Sequence, residues 1–590
     1  MILKTAEIRN FRSIAHLTIA PRHLTTFVGK NSCGKSNILR ALLFFFTASA
    51  KSAIVEDLCK FADDAGTWVE CTFGNLADPE KAELGKYVWH DQTIRVRRTL
   101  YLDGDRCVTK LHGYLQRPTE AWLQDDYADY ADMGKWTALG IDVAQYAAIG
   151  AKGKLTKDGF KEFQQKYIAQ NAATVTFCET MSETEFKGRQ STAASVLPHF
   201  IFVPAVGDIV SVIYGKQSSL LNEMVAAVIE TGKTHPEYAA AQVSLSAAQD
   251  FVNPSPKRLG KLTLIEEDLA EKLKSWPGTK VTIRTEVDDL AKILVAGLVL
   301  GVDDGTDTDL ADKGDGIQRQ ILFRVFQLYA DFRAQRGVFK PDEGAPSADR
   351  GPNIIAFEEP ELFLHPQAQE QFFDDLVTVS AGDQVLLSTH SSFLVRLEHA
   401  DGLHIVRRPT QNAPTEFKTA DHAWIDASDR QRLKEINLCS GDVSKVFFAD
   451  RVVITEGQED VIYIVGTAAP HHADCLDRRV TVVEVGGKER IPSLQKVLNA
   501  FGIPYTVACD LDPGNADSAK NSARILALVE EAKLKHGPIA TVEHFDPDIP
   551  TVCRGGPPPP GEKPFNALVL IRDGKPTDAF AARVKSLFRI

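Results

Sequence analysis

Gly29-Lys30-Asn31-Ser32-Cys33-Gly34-Lys35-Ser36 has the spacing G-x-x-x-x-G-K-S. The apolar run Leu24–Val28 leads into it and the helix-forming run Asn37–Phe46 leads out. Strand, glycine loop, helix is the setting a phosphate-binding loop requires. Its glycines let backbone N–H groups curl around a phosphate, and the following helix N-terminus adds partial positive charge. Gly29, Asn31, Gly34 and Asn37 frame the loop. Lys35 is placed to reach the β- and γ-phosphates of ATP, and Ser36 to hold Mg²⁺.

The chain around this loop has 590 residues, too many for one core, so several domains are expected. Hydrophobic residues make up 44% and charged residues 25%, the balance of a globular protein. The longest apolar run, around Ile293–Val302, falls short of the ~20 residues of a spanning helix, so no membrane segment is expected. Met1–Asn10 reads as an amphipathic strand and not as a signal peptide. The nine cysteines include no C-x-x-C pair, which points away from a zinc site or disulfide framework and toward a reducing, cytoplasmic setting. A net charge of −12 argues against nonspecific coating of nucleic acid but leaves room for a local basic groove.

Outward from the loop, Leu3–Arg9, His16–Ala20 and Trp68–Phe73 read as strands. Thr93–Tyr101 and Cys107–Leu111 read as a hairpin. Gln217–Ser275 is helical, interrupted at Pro236 and at Asn253-Pro254-Ser255-Pro256. It is either a dimerising insertion or a set of solvated helices. An acidic loop, Asp303–Asp315, precedes a long helix over Ile317–Ala334, and Pro341–Pro352 reads as a linker. After Ser444 strands and helices alternate: Arg451–Thr455, Arg479–Val485, Tyr505–Ala508 and Ile539–Val542 are strands separated by helical runs. That alternation predicts a small parallel sheet with its ligand site at the carboxyl ends of the strands.

Two groups of residues complete an ATP site. Asn353–Phe357 is an apolar strand ending in Glu358-Glu359-Pro360. Glu358 suits the Mg²⁺ shell and Glu359 the orientation of an attacking water. Lys313-Gly314-Asp315-Gly316-Ile317-Gln318 opens the long helix, where Gly314 and Gly316 expose backbone N–H groups to a phosphate. His390, in Ser388-Thr389-His390, is either a γ-phosphate partner or a core histidine. Together with Phe11-Arg12-Ser13 after the first strand, this set resembles the ABC-type ATPase heads of DNA-repair and chromosome-organising proteins. In those heads ATP lies between two subunits, so the resemblance implies a homodimer. Two positions depart from the pattern. Glu358 stands where Asp is usual. Asp315 stands in the signature where a small neutral residue is common, and a carboxylate facing a γ-phosphate would repel it.

A second constellation lies in the last third. Val452–Thr455 ends in Glu456-Gly457, with Asp460 one helical turn on, and Val507–Cys509 ends in Asp510-Leu511-Asp512. If the two strands are neighbours, Glu456, Asp460, Asp510 and Asp512 converge. Clustered carboxylates without counterions are unfavourable, and hard divalent ions such as Mg²⁺ or Mn²⁺ resolve that. Gly486-Gly487-Lys488 is either a plain turn or a close approach to phosphate.

Strand–E–G followed by strand–D–x–D resembles the Toprim fold. An ABC-type ATPase followed by Toprim resembles the OLD (overcoming lysogenisation defect) family of nucleases. The resemblance implies an α/β multidomain chain: an ABC-type ATPase head over 1–205 and 281–440, a helical insertion over 206–280, and a Toprim parallel α/β domain over 445–590. It implies ATP and Mg²⁺, or Mn²⁺ or Ca²⁺ at the Toprim site, and DNA as substrate. Some members work beside a helicase-like partner. Glu543 and Asp546 are its candidates for a second metal. Lys563 is either a charge-stabilising group or a surface lysine. The competing expectations are an ATP-dependent DNA clamp without nuclease activity and a Toprim topoisomerase or primase.

Overall fold

The computed structural model describes residues 1–47, 57–63, 66–103, 106–124, 127, 157–171, 174–187, 196–205, 209–214, 219–272, 282–283, 289–333, 352–410, 412–420, 426–440, 443–469, 480–511, 516–559, 563–574 and 576–588. Two compact units divide the chain: Met1–Phe200 with Asp349–Ile590, and Ile201–Ala348.

In the first unit, Leu24–Val28 pairs in parallel with Gln384–Thr389 on one side and Leu403–Arg407 on the other. Gln384–Thr389 pairs in parallel with Ile354–Glu358. The five residues of Ile354–Glu358 are all buried, as a parallel strand covered on both faces requires. Three chemically loaded segments therefore start side by side at one sheet edge: the loop after Val28, Glu358-Glu359, and His390 after Thr389.

A second sheet is antiparallel, ordered Ile14–Ile19, Ile2–Phe11, Thr67–Gly74, Ile94–Asp103, Arg106–Pro118, Phe177–Met181. Its hairpin arm runs on to Pro118, past the Leu111 expected from sequence. The extension pairs with Phe177–Met181, whose contribution is nonlocal and so invisible in a local pattern.

The third sheet is parallel, ordered Val480–Glu484, Arg451–Thr455, Tyr505–Asp510, Ala540–Phe545. The two strands carrying the Toprim motifs are neighbours, Val453 opposite Thr506. Helix Ile491–Phe501 packs on one face and helices Gln458–Ala468 and Asp578–Phe588 on the other. Val28 and Ile405 of the phosphate-loop sheet share one buried cluster with Val452, Ile454 and Val507 of this sheet. The two halves of this unit are thus built on common apolar packing.

The second unit holds helices Leu220–Gly232, Pro236–Gln249, Gly260–Lys272, Leu290–Ala296 and Asp315–Arg333. The stretch expected as an acidic loop contains a short hairpin, Gly301–Asp303 against Asp307–Asp309. Gly305 turns it at φ +108°, with its N–H on the Asp303 carboxylate. An Asp-Gly pair is a hairpin signal in its own right. The linker stretch 341–351 lies outside the described residues. Among the described residues no helix is long and apolar enough to cross a membrane.

Candidate functional site

The phosphate loop is held by close backbone approach. A Cβ on Gly29 would lie 2.2 Å from the Val406 carbonyl oxygen, and one on Gly34 2.2 Å from Thr415 Oγ1. Gly34 also sits at φ +107°, where a side chain is strained. Ser13, from the turn after the first strand, anchors the other wall. Asn37 Nδ2 donates to its hydroxyl at 2.7 Å, and Thr415 Oγ1 lies at the same distance. Arg12 beside it pairs with Asp57. Asn31 is exposed and Ser36 half-buried at the loop rim.

Lys35 is buried. Its Nζ lies 3.2 Å from Gly29 O, 3.3 Å from Lys30 O and 2.6 Å from His390 Nε2. Burial lowers its pKa. Burial also lowers that of His390, with Lys35 adding to the effect and Glu359 opposing it. A neutral His390 accepts from Lys35. Glu359 Oε1 is 3.3 Å from the same Nε2. Glu359 occupies the left-handed region at φ +45°, which is uncommon for a side-chain-bearing residue. That twist separates its carboxylate from that of Glu358. Glu358 is 4% exposed and grips Arg40, whose Nη2 and Nε lie 3.0 and 3.3 Å from its two oxygens. Glu361 Oε1 accepts the His390 N–H at 2.5 Å.

Gly314 and Gly316 belong to the second unit, at the start of helix Asp315–Arg333. A Cβ at either would meet no atom within 4 Å. The Ile317 N–H bonds the Gly314 carbonyl, closing the first helical turn.

The acidic site forms at the carboxyl edge of the third sheet. Glu456 Oε1 accepts the Asp510 N–H at 3.1 Å, tying the ends of two strands. Asp460 Oδ2 accepts the Gly457 N–H at 3.1 Å, and Asp510 Oδ1 the Ile549 N–H at 2.8 Å. Burial pushes the Asp460 carboxyl up to about 7, with Glu456 and Glu459 adding repulsion. Burial pushes Asp510 up to about 8, with Asp460, then Glu456 and Asp548, adding to it. The sequence thus brings Glu456, Asp460 and Asp510 into one field. Asp512 lies outside the described residues.

Glu543 lies opposite Ala508, and its carboxylate takes Arg583 Nε at 2.6 Å. Asp546 is exposed. It is Asp548 whose charge reaches Asp510, while its own Oδ1 caps the following helix through the Thr551 N–H. Lys563 is the first residue of helix Lys563–Asp573. Asp548 and Arg40 are functional-site neighbours that sequence reasoning missed. Asp-x-Pro ahead of a helix is a cap signal that could have flagged the first. Nothing local marks the second.

The donor set suits divalent ions. All three described acids offer carboxylate oxygens, the ligands of hard cations. Near neutral pH Asp510 mostly keeps its proton and Asp460 is in mid-titration, so a bound cation must displace protons to gain both carboxylates. Among the described residues no three His, Cys, Asp or Glu side chains are grouped as a ready-made metal site. Each acid instead spends an oxygen on a backbone N–H.

An AAA ATPase domain model matches residues 1–395, and a model of the TOPRIM domain of overcoming-lysogenization-defect-like proteins matches residues 447–512. The chain belongs to the AAA ATPase domain family and joins that domain to an OLD-like TOPRIM domain. It carries the ATPase and Toprim domains of an ATPase-linked nuclease. OLD relatives include the Old nuclease of Escherichia phage P2, 23% identical over 521 residues, which are 86% of this chain and 77% of that protein. The OLD nuclease of Thermus scotoductus is 27% identical over 214 residues, covering 35% of this chain and 37% of that protein. Among solved structures, an SMC head bound to the C-terminal winged-helix domain of ScpA is 16% identical, with a TM-score of 0.33 over 71% of this chain and 98% of that one. The SMC head domain from Thermotoga maritima is 13% identical, with a TM-score of 0.26 over 71% and 100%.

Proposed function

We propose that this chain is an OLD-type nuclease that cuts DNA at the Glu456–Asp510 edge with bound Mg²⁺ or Mn²⁺, under the control of ATP at the Lys35 loop. One observation carries the reading. Glu456 and Asp510 come from neighbouring parallel strands and share a hydrogen bond, with buried Asp460 beside them. Glu456, Asp460 and Asp510, with Asp512, would hold the metal. Divalent ions there supply Lewis acidity and an activated water for displacement at phosphorus. The chain's own part is to hold the acids at fixed strand ends and to keep them sparingly hydrated.

At the other site, Gly29–Ser36 cradles the phosphates and Lys35 binds them. Glu358 would take the Mg²⁺ position and Glu359 that of the attacking water, with His390 beside Glu359 and Lys35. A homodimer that places Gly314 and Gly316 opposite the loop would follow the ABC-type pattern. Phage defence or DNA repair, with or without a helicase-like partner, is the role consistent with such an enzyme. The cysteines whose state is described are free, in keeping with a reducing cytoplasm.

Defined linear and supercoiled DNAs, incubated with Mg²⁺, Mn²⁺ or Ca²⁺ and with or without ATP, test the reading. Cleavage that needs a divalent ion and changes with ATP supports it. Plasmid that is relaxed but covalently closed would point instead to a topoisomerase.

A further inference from the structure

Lys488 is 6% exposed, a costly place for an ammonium unless it is paired. The Gly486-Gly487 turn delivers it, at φ +74° and +138°. The Gly487 N–H is itself bonded to the Glu456 carbonyl at 2.9 Å. The turn follows the edge strand Val480–Glu484, and the side chain passes the end of the central strand to reach the third. Its Nζ donates to the Asp510 carbonyl oxygen at 2.5 Å and to Ser518 Oγ at 2.7 Å. Glu456 Oε1 is 3.8 Å away. The Asp510 residue is therefore clamped at both ends, its N–H by Glu456 and its C=O by Lys488.

We propose that Lys488 is a positioning residue of the nuclease site: a built-in cation that aligns the Glu456 and Asp510 strand ends and offsets their repulsion before metal enters. The inference rests on the nuclease reading above. An ammonium buried merely to satisfy packing would need only acceptors. This one lies across three strand ends at the point where the acids converge. Groups that orient metal ligands act on turnover through geometry, and their loss costs about 10- to 100-fold.

Lys488→Met removes the charge and keeps the length. In the full chain it should lower the melting temperature of the metal-free protein. It should leave Mn²⁺ binding by calorimetry no weaker than wild type, because a cation beside a metal site is repulsive. Plasmid nicking at saturating Mn²⁺ should fall by about 10-fold or more, with the half-saturating DNA concentration unchanged. Lys488→Arg should recover part of the rate. ATP binding at the Lys35 loop reports whether the variant has folded. Should Lys488→Met not fold, Ser518→Ala, which removes one anchor, should show a smaller loss of the same kind. Nicking within about twofold of wild type, or a loss that added Mn²⁺ fully restores, overturns the inference. A wild-type protein that does not nick at all defeats the nuclease reading and not this one alone.

Discussion

Lys35 Nζ lies 2.6 Å from His390 Nε2, across 355 positions of sequence. Parallel pairing of Leu24–Val28 with Gln384–Thr389 puts the two segments side by side, Thr389 opposite Val28. With its pKa lowered by burial, His390 is neutral near pH 7 and serves Lys35 as an acceptor. A bound phosphate offers Lys35 a better one.

Replacing Lys35 by Ala removes the only side-chain ammonium that the loop directs inward. A hydrogen bond to a charged group contributes about 1.5–3 kcal/mol, so ATP affinity should fall by roughly 10- to 100-fold. Fluorescent-nucleotide titration measures it. Mn²⁺-dependent nicking should survive in part, because Glu456 and Asp510 stand on a different sheet. Complete loss of nicking in folded protein would tie the two sites together more tightly than argued above.

Arg40 and Glu358 predict a double-mutant signature. Glu358 is 4% exposed, whereas the Arg40 side chain is 37% exposed, so water screens one partner. Arg40→Met should destabilise by about 1–3 kcal/mol, less than for a pair buried on both sides. Arg40→Met with Glu358→Met should lose less than Arg40→Met alone, since the double variant no longer buries the carboxylate that Arg40 helps to offset. Denaturation midpoints of the four proteins measure the coupling.

The raised Asp460 and Asp510 carboxyls set a pH dependence. Both lie above the usual ~3.9 of an aspartate, so the metal-free fold holds protons that the unfolded chain has released. Its stability should therefore fall as pH rises from about 4 toward 8. Divalent ions must expel the same protons, so Mn²⁺ affinity should rise with pH and level off above about 8. Calorimetry in buffers of different ionisation enthalpy counts the released protons. Binding that is independent of pH between 6 and 8 would contradict the shifts.

Much of this was legible in the sequence because the signals are local. G-x-x-x-x-G-K-S fixes a loop within eight positions, and the Toprim strands fall within a few residues of their expected limits: Arg451–Thr455 is unchanged, while Tyr505–Ala508 extends to Asp510. The extension reaches Asp510, a charged residue and so unlike strand in isolation, yet paired opposite Phe545. Lys488, Arg40 and Asp548 acquire meaning only through such pairings. Lys488 reads as a turn residue until the strand order places it across Asp510. Arg40 reads as a helix-surface cation until Glu358, far along the chain, closes on it. Asp548 matters because Asp510 pairs opposite Phe545, which puts the following loop beside its carboxylate.

The most direct test is nicking of supercoiled plasmid in Mn²⁺ by wild type and by Asp510→Ala, with ATP binding as the folding control. The account predicts that wild type opens the plasmid, and that Asp510→Ala leaves it supercoiled while still binding ATP. A variant that cuts as fast as wild type would remove the Glu456–Asp510 edge from the chemistry.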